Sequence, residues 1–243
     1  MGPLSLHVFS DGFGSIEENI FSNIYFTDGE IRDAGAVIDL GAHHCSFSVY
    51  AALKSSPGSA IVAVEPNPLA AELCAENLSS IRRLIKRKRL RVKILRGAVW
   101  RSEGDIYLEL SWWSEAHTVG DRPRGRRLRV KAFTLDEILK EAGGDAIVKM
   151  DTEGAEYEAL RSSNLRGVRA ISIEAHGDPA DLAKILKRRG FHTEIRTYNT
   201  RSNLATAWLR VRPRSYGLLV ALYRLTASHT AAPTVTIVKG TRT

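Results

Sequence analysis

Ala36-Val-Ile-Asp-Leu40 is an apolar run, interrupted only by Asp39, that ends on Gly41. Such a run reads as a strand buried on both faces that enters a tight turn. A second run, Ala60-Ile-Val-Ala-Val64, is closed by Glu65-Pro66-Asn67-Pro68. Pro68 suits the first turn of a helix, with Asn67 as its cap. Between the runs, Phe47, Tyr50 and Leu53 share one side of a helical stretch from Ser46 to Leu53. The helix after Pro68 is expected to carry Leu69, Leu73 and Leu78 and to run on into a basic stretch. Further strands are predicted at Arg91 to Leu95, Ala146 to Asp151 and Ala170 to Glu174, with closing strands at Phe191 to Arg196 and Ala205 to Val211. Helices are predicted at Ala155 to Leu160 and Pro179 to Arg189, and Thr134 with Glu137 forms a capping box for a helix from Leu135. Strands alternating with helices at this spacing call for an α/β fold with a mostly parallel sheet covered on both faces.

Two segments depart from that rhythm. Ile106, Leu108 and Leu110 alternate with polar residues, as do Leu128, Val130 and Ala132, which predicts an inserted β-hairpin. Residues 213–243 read as an extension, an apolar helix followed by a strand at Thr234 to Val238. The organisation is then residues 1–33 as an N-terminal extension, 34–212 as the main domain and 213–243 as a C-terminal extension.

The chain has 243 residues, 44% of them hydrophobic, enough for one large domain with a buried core. Cys45 and Cys74 sit inside separate predicted elements, so neither a disulfide nor a zinc site is expected and a reducing, cytoplasmic setting fits. Met1 to Gly14 lacks a basic segment followed by an apolar one, so no signal peptide is expected. No apolar stretch approaches the roughly 20 residues of a membrane span. The net charge of +8 is concentrated in Arg82 to Lys93 and Arg122 to Lys131. These stretches are either two solvated faces or an anion-binding surface.

In open α/β sheets, ligands bind beyond the carboxyl ends of the strands, where the strand order reverses. Asp39 and Gly41 end the first strand and Glu65 the second. A glycine turn admits close backbone approach, and a carboxylate at the second strand's end suits a ribose diol. That pairing also fits a dinucleotide enzyme, although Gly41-Ala-His-His-Cys45 is poor in glycine for a pyrophosphate.

Four segments in order make the reading more specific: Val37 to Ser46, Ala63 to Pro68, Phe133 to Ile138 and Val148 to Glu156. With Ile171 to His176, they resemble the FkbM family of class I S-adenosylmethionine-dependent methyltransferases over about residues 34–196. The resemblance implies a Rossmann-like class I methyltransferase fold, a central, mostly parallel seven-stranded sheet with helices on both faces. It also implies O-methylation of hydroxyls on sugars or natural products. By the same resemblance, S-adenosyl-L-methionine would meet Asp39, Gly41, Ala42 and His43 at its methionine end. Glu65 would take its ribose hydroxyls, Pro66 and Asn67 would lie beside the adenosine, and Gly97 and Ala98 along the adenine. The family usually has Asn where His43 stands and Gly where Cys45 stands.

A hydroxyl acceptor needs a general base beside the methyl group. Asp151 ends the strand facing the cofactor's sulfur, with Glu153 on the following turn. Lys149, on the same side of that strand as Asp151, is either functional or part of a buried ion pair. Glu174 and His176 end the neighbouring strand at the same mouth, and Asp151, Glu174 and His176 could hold a divalent cation. His117 lies in a loop expected to cover the mouth, next to Trp112 and Trp113, which either stack on an acceptor or plug the core. His43 and His44, as sequence neighbours, are expected to point apart. The leading expectation is methylation of a small-molecule, sugar or lipid-linked hydroxyl, with an anionic acceptor among the candidates. The alternatives are an RNA methyltransferase using both basic stretches, and a non-catalytic domain binding a partner through them.

Overall fold

The computed structural model describes residues 6–8, 19–20, 23–110, 118–120, 126–199 and 234–242. Helix α1 (Asp28–Asp33) leads into β1 (Ala36–Leu40), α2 (Ser46–Lys54), β2 (Ala60–Glu65), α3 (Pro68–Ser80), α4 (Arg82–Lys88) and β3 (Arg91–Arg96). A second group, β4 (Ala98–Val99), β5 (Gly104–Glu109), β6 (Thr118–Gly120) and β7 (Arg127–Phe133), precedes α5 (Leu135–Ala142). The chain then runs through β8 (Ala146–Met150), α6 (Glu156–Ser162), β9 (Val168–Glu174), α7 (Pro179–Arg188), β10 (His192–Asn199) and β11 (Thr234–Thr241).

The large sheet has seven strands in the order β10-β11-β9-β8-β1-β2-β3. Pairing is parallel from β3 across to β9, whereas β11 lies antiparallel between β9 and β10. The chain starts at β1, steps outward to β2 and β3, and returns to β8 on the other side of β1. The strand order therefore reverses between β1 and β8, and a crevice opens beyond their carboxyl ends. The predicted strand at Thr234 is inserted inside the sheet and extends to Thr241, while Ala205 to Val211 lies outside the described residues.

Burial follows from this layering. Ala36, Ile38 and Leu40 of β1 face the helices α5, α6 and α7, whereas Val37 faces α1 to α4. Both faces of β1, β2 and β8 are covered, which is why those segments read as continuous apolar runs. The predicted hairpin belongs to a second sheet in the order β4-β7-β5-β6, with its own small core of Trp100, Ile106, Leu108 and Val130. Thr134 and Glu137 make both bonds of the predicted capping box.

Three local expectations change. The helix after Pro68 stops at Ser80, and the basic stretch forms a separate short helix, α4, that ends with Arg89 at φ 54°. Leu69 is 64% exposed, because the apolar side of α3 is carried by Ala70, Ala71, Cys74 and Leu78 instead. Cys45 and Cys74 form a disulfide with Cα atoms 4.7 Å apart, against the expectation of unpaired thiols. Their elements are distant in sequence, but α2 and α3 pack on the same face of the sheet, which brings the two side chains together. The pairing removes the cysteine argument for a reducing compartment.

The disulfide closes a loop between residues 29 apart in sequence. Reduction should lower unfolding free energy by roughly 3–4 kcal/mol on loop-entropy grounds. Guanidinium chloride midpoints with and without reductant check this, and equal midpoints would contradict it.

Candidate functional site

The turns after β1 and β8 press together. Gly41 has φ +70°, and a Cβ there would lie 1.7 Å from the carbonyl oxygen of Asp151. The backbone N–H of Asp151 donates to Leu40 O at 3.1 Å. Only glycine lets the two turns meet this closely.

Lys149 is buried beneath that contact. Its Nζ donates to Gly41 O at 2.8 Å and lies 3.4 Å from Asp39 Oδ1 and 3.5 Å from Asp151 Oδ2. It also sits 5.5 Å from the centre of the Tyr25 ring. Burial pulls the ammonium pKa down, but Asp151, Asp39 and Glu174 outweigh burial and raise it above the ordinary lysine value. Ser48 Oγ donates to the other Asp39 oxygen at 2.6 Å. The buried ion pair that was one reading of Lys149 is therefore present. It joins three carbonyl or carboxylate groups from both sides of the crevice.

On the β1–β2 side, Glu65 is buried and accepts from two backbone N–H groups, His43 at 2.7 Å and Asn67 at 2.8 Å. Burial raises its carboxyl to about 7, against the downward pull of those two donors and Lys149. Asn67 also caps α3 through Leu69 N at 3.0 Å, so Glu65, Pro66 and Asn67 form one folded corner. Ala42 is buried behind His43. His43 and Cys45 both have left-handed backbones, at φ 50° and 64°. That conformation costs L-residues other than Asn and Gly roughly 1–2 kcal/mol, which accounts for the Asn and Gly found there in the family that this segment resembles. Cys45 Sγ is committed to Cys74, so its side chain turns into the core.

His43 and His44 do not point apart. Their Nδ1 atoms are 2.8 Å apart and their ring centres 4.6 Å, because the left-handed residue folds the chain back on itself. His44 is fully buried, and burial followed by Lys149 lowers its pKa to about 4. Gly97 follows β3, and a Cβ there would lie 2.4 Å from Lys131 O. The turn of Gly97 and Ala98 thus passes tightly under β7, next to the carboxyl end of β2, where Gly97 N donates to Glu65 O.

On the β8–β9 side, five titratable groups converge. His176 Nε2 lies 3.3 Å from Glu153 and 3.9 Å from both Asp151 Oδ1 and Glu174 Oε1. Its Nδ1 is 3.0 Å from Glu156 Oε1. The loop that permits this reverses at Glu153, φ 51°, and Gly154, φ 101°. Burial disfavours the charged imidazole, but Glu153, Glu156 and Asp151 outweigh it and raise His176 to about 11. Burial and the neighbouring Asp151 raise Glu174 to about 7, with Tyr25 donating to its Oε2 at 2.7 Å.

Asp151, Glu153 and His176 are thus brought together as their sequence positions suggested. His117, Trp112 and Trp113 lie outside the described residues. Sequence reasoning gave no role to Glu156 or Tyr25. Glu156 was placed only at the end of the Val148 to Glu156 segment and in the predicted helix from Ala155, and Tyr25 reaches Glu174 from 149 residues away.

The described parts of the two basic stretches lie apart: Arg82 to Lys93 forms α4 and the start of β3 in the large sheet, whereas Arg126 to Lys131 runs into β7 of the second sheet. Arg91 pairs with Ala60, at the start of β2, whereas Glu65 ends that strand, about 17 Å further along. Several cations there have partners. Lys88 Nζ donates to three carbonyls at the end of α2, and Lys93 pairs with Glu141 at 2.6 Å. On β7, Arg129 pairs with Asp105 and Arg127 stacks on Tyr107. Among the described residues, no helix is long and apolar enough to cross a membrane.

Comparison with known proteins adds the following. Residues 33–198 match the model of the methyltransferase FkbM domain. No curated protein matches the chain. Among solved structures, the delta-N METTL16 MTase domain is similar with a TM-score of 0.50 at 12% identity, covering 98% of this chain and 88% of that one. Precorrin-6y C5,15-methyltransferase from Geobacter metallireducens gives 0.46 at 14% identity, covering 89% and 85%. A putative RNA methyltransferase from Pyrococcus horikoshii gives 0.43 at 14% identity, covering 94% and 80%. At 12% identity the first of these likenesses concerns the fold alone.

Replacing Lys149 with methionine leaves Asp39 buried without its counter-charge. The expected loss is about 3–5 kcal/mol of stability, the usual cost of stranding one member of a buried pair. Denaturant titration of Lys149→Met measures it, and a loss below about 1 kcal/mol would mean that the ammonium is not structural.

Proposed function

The chain belongs to the methyltransferase FkbM family and is an S-adenosylmethionine-dependent methyltransferase, and on that premise we propose that it methylates a hydroxyl oxygen of a sugar, lipid-linked or other small-molecule acceptor. The observation that carries this reading is the split of carboxylates across one crevice. Glu65 stands on the β2 side, and Asp151 with Glu153 and Glu174 on the β8–β9 side.

The donor set fits the cofactor. Each Glu65 oxygen accepts one backbone N–H and keeps a second lone pair, so the two can accept from a vicinal ribose diol. Pro66, Asn67, Gly97 and Ala98 border that corner as an adenosine seat. Asp39, Gly41, Ala42 and His43 border the turn for the amino-acid end. S-adenosylmethionine, when bound, supplies the electrophilic methyl group. The residues of this chain supply alignment and a destination for the acceptor proton. Asp151 takes the proton on Oδ1, the oxygen facing the His176 cluster, while Lys149 holds its Oδ2. Glu153 and His176 orient the acceptor. His176 is a cation near neutral pH, so it acts as a hydrogen-bond donor rather than a base. His117, outside the described residues, is proposed as a further contact with the acceptor. An RNA acceptor is the second reading; against it, the first basic stretch, Arg82 to Lys93, sits on α4 and the start of β3, at the opposite strand ends from Glu65.

Two measurements test the division of labour. Glu65→Ala should weaken cofactor binding in calorimetry, whereas Asp151→Asn should leave it nearly intact yet lower kcat by roughly 100-fold or more. Equal effects of both variants on cofactor affinity would overturn the site map. Label transferred from tritiated cofactor to a fractionated cell extract should be recovered on oxygen, and recovery on nitrogen would refute the hydroxyl reading.

Cofactor affinity should also depend on pH through Glu65. Its carboxyl is raised to about 7, and only the carboxylate accepts from both hydroxyls. Affinity is therefore full above that value and should fall by up to about tenfold per pH unit below it. Glu65→Gln should bind more weakly and without this pH dependence, and an unchanged slope would assign the effect to another group.

A further inference from the structure

We propose that Asp151, Glu153 and His176 form a binding site for one divalent first-row transition cation at the acceptor end of the crevice. One ligand atom from each residue lies within 4.8 Å of the other two. A cation with bonds of about 2.1 Å holds neighbouring ligands about 3 Å apart and opposite ligands about 4.2 Å apart, so small side-chain adjustments close the shell. Glu174 Oε1, 3.9 Å from His176 Nε2, is within reach as a fourth ligand, and Tyr25 fixes the orientation of its carboxylate.

A second feature goes beyond a cluster of acids. Glu156 is fully buried, and its Oε1 is held by Thr152 N at 3.1 Å and Gly154 N at 3.2 Å. The same oxygen meets His176 Nδ1, which directs Nε2 towards Asp151 and Glu153. A carboxylate behind one ring nitrogen, with metal on the other, is the usual support of a metal-binding histidine, because it fixes the ring and its tautomer. The remaining oxygen of Glu156 has no hydrogen-bond partner among the described residues.

The donor set selects the metal. Carboxylates suit Mg2+, Ca2+ and Mn2+, but an imidazole in the shell favours Mn2+, Fe2+ or Zn2+, and the absence of thiolate argues against soft ions. Three protein ligands leave positions open towards the solvent side of the crevice for an acceptor oxygen. That role rests on the hydroxyl-methylation reading, whereas ion binding itself does not; with an ion bound, Asp151 and His176 would serve as its ligands in place of the base and donor roles given above.

The test is titration of the full chain with Mn2+, followed by electron paramagnetic resonance of the free ion, with neither cofactor nor acceptor present. Binding should saturate at one ion per chain. His176→Ala and Glu153→Gln should each weaken it at least about tenfold, and Glu156→Gln by roughly 10- to 100-fold. Glu65→Ala, on the other side of the crevice, should bind Mn2+ like the parent protein. Near-ultraviolet circular dichroism identifies any variant that fails to fold, and Glu153→Gln, on a partly exposed loop, then supplies the reading. Absence of saturable Mn2+ binding to the parent chain overturns the proposal, as does unchanged affinity in the folded variants. Either result leaves methyl transfer to oxygen standing. Conversely, label recovered on nitrogen would refute that reading and leave the ion site intact.

Discussion

The ammonium of Lys149 is buried where the strand order reverses, and the geometry of the crevice depends on it. It bonds Gly41 O and faces Asp39 and Asp151, so one cation ties the ends of β1 and β8 together. Without it, the buried carboxylate of Asp39 on β1 would lack its counter-charge, with the Asp151 carboxylate just beyond β8 close by. Gly41 is the steric half of the same constraint, since any side chain there would strike the Asp151 carbonyl. Charge pairing and the missing Cβ together allow the β1 and β8 turns to approach, and the approach defines the floor of the site.

The two sides of the crevice solve opposite electrostatic problems. On the β2 side, Glu65 is isolated from solvent and held by backbone N–H groups, so burial dominates and its proton affinity rises. On the β9 side, carboxylates outnumber the one imidazole, and the ring becomes more basic although it is partly buried. Glu156 joins the second side to the fold. It closes the Thr152–Gly154 turn and braces His176 with the same oxygen. Loop shape and ring orientation therefore depend on a single buried side chain.

The charge of the chain is distributed differently from its first impression. The two basic stretches account for the whole positive excess, but their described parts sit on separate elements, α4 with β3 and β7, and part of each is spent within the molecule. Lys88 caps the end of α2, Lys93 answers Glu141, and Arg129 answers Asp105. The disulfide likewise converts two residues that look unrelated into a link between α2 and α3, directly behind the His43 turn.

Much of the layering was legible in the chain itself. Continuous apolar runs at Ala36, Ala60 and Ala146 are what strands covered on both faces require, and Thr134 with Glu137 marked a helix start that is realised bond for bond. Asp39, Gly41, Glu65 and Asp151 could be placed at strand ends because strand ends are local features. What the sequence could not supply is anything that depends on which strands become neighbours. The contact of Gly41 with Asp151, the edge-to-face contact of His43 with His44, the bond from Tyr25 to Glu174 and the Cys45–Cys74 link all join segments through the packing of elements or through a left-handed turn. Periodicity determines which face of an element is buried. Only the tertiary structure decides what that face meets, because pairing energies between distant segments exist only once the sheet has assembled.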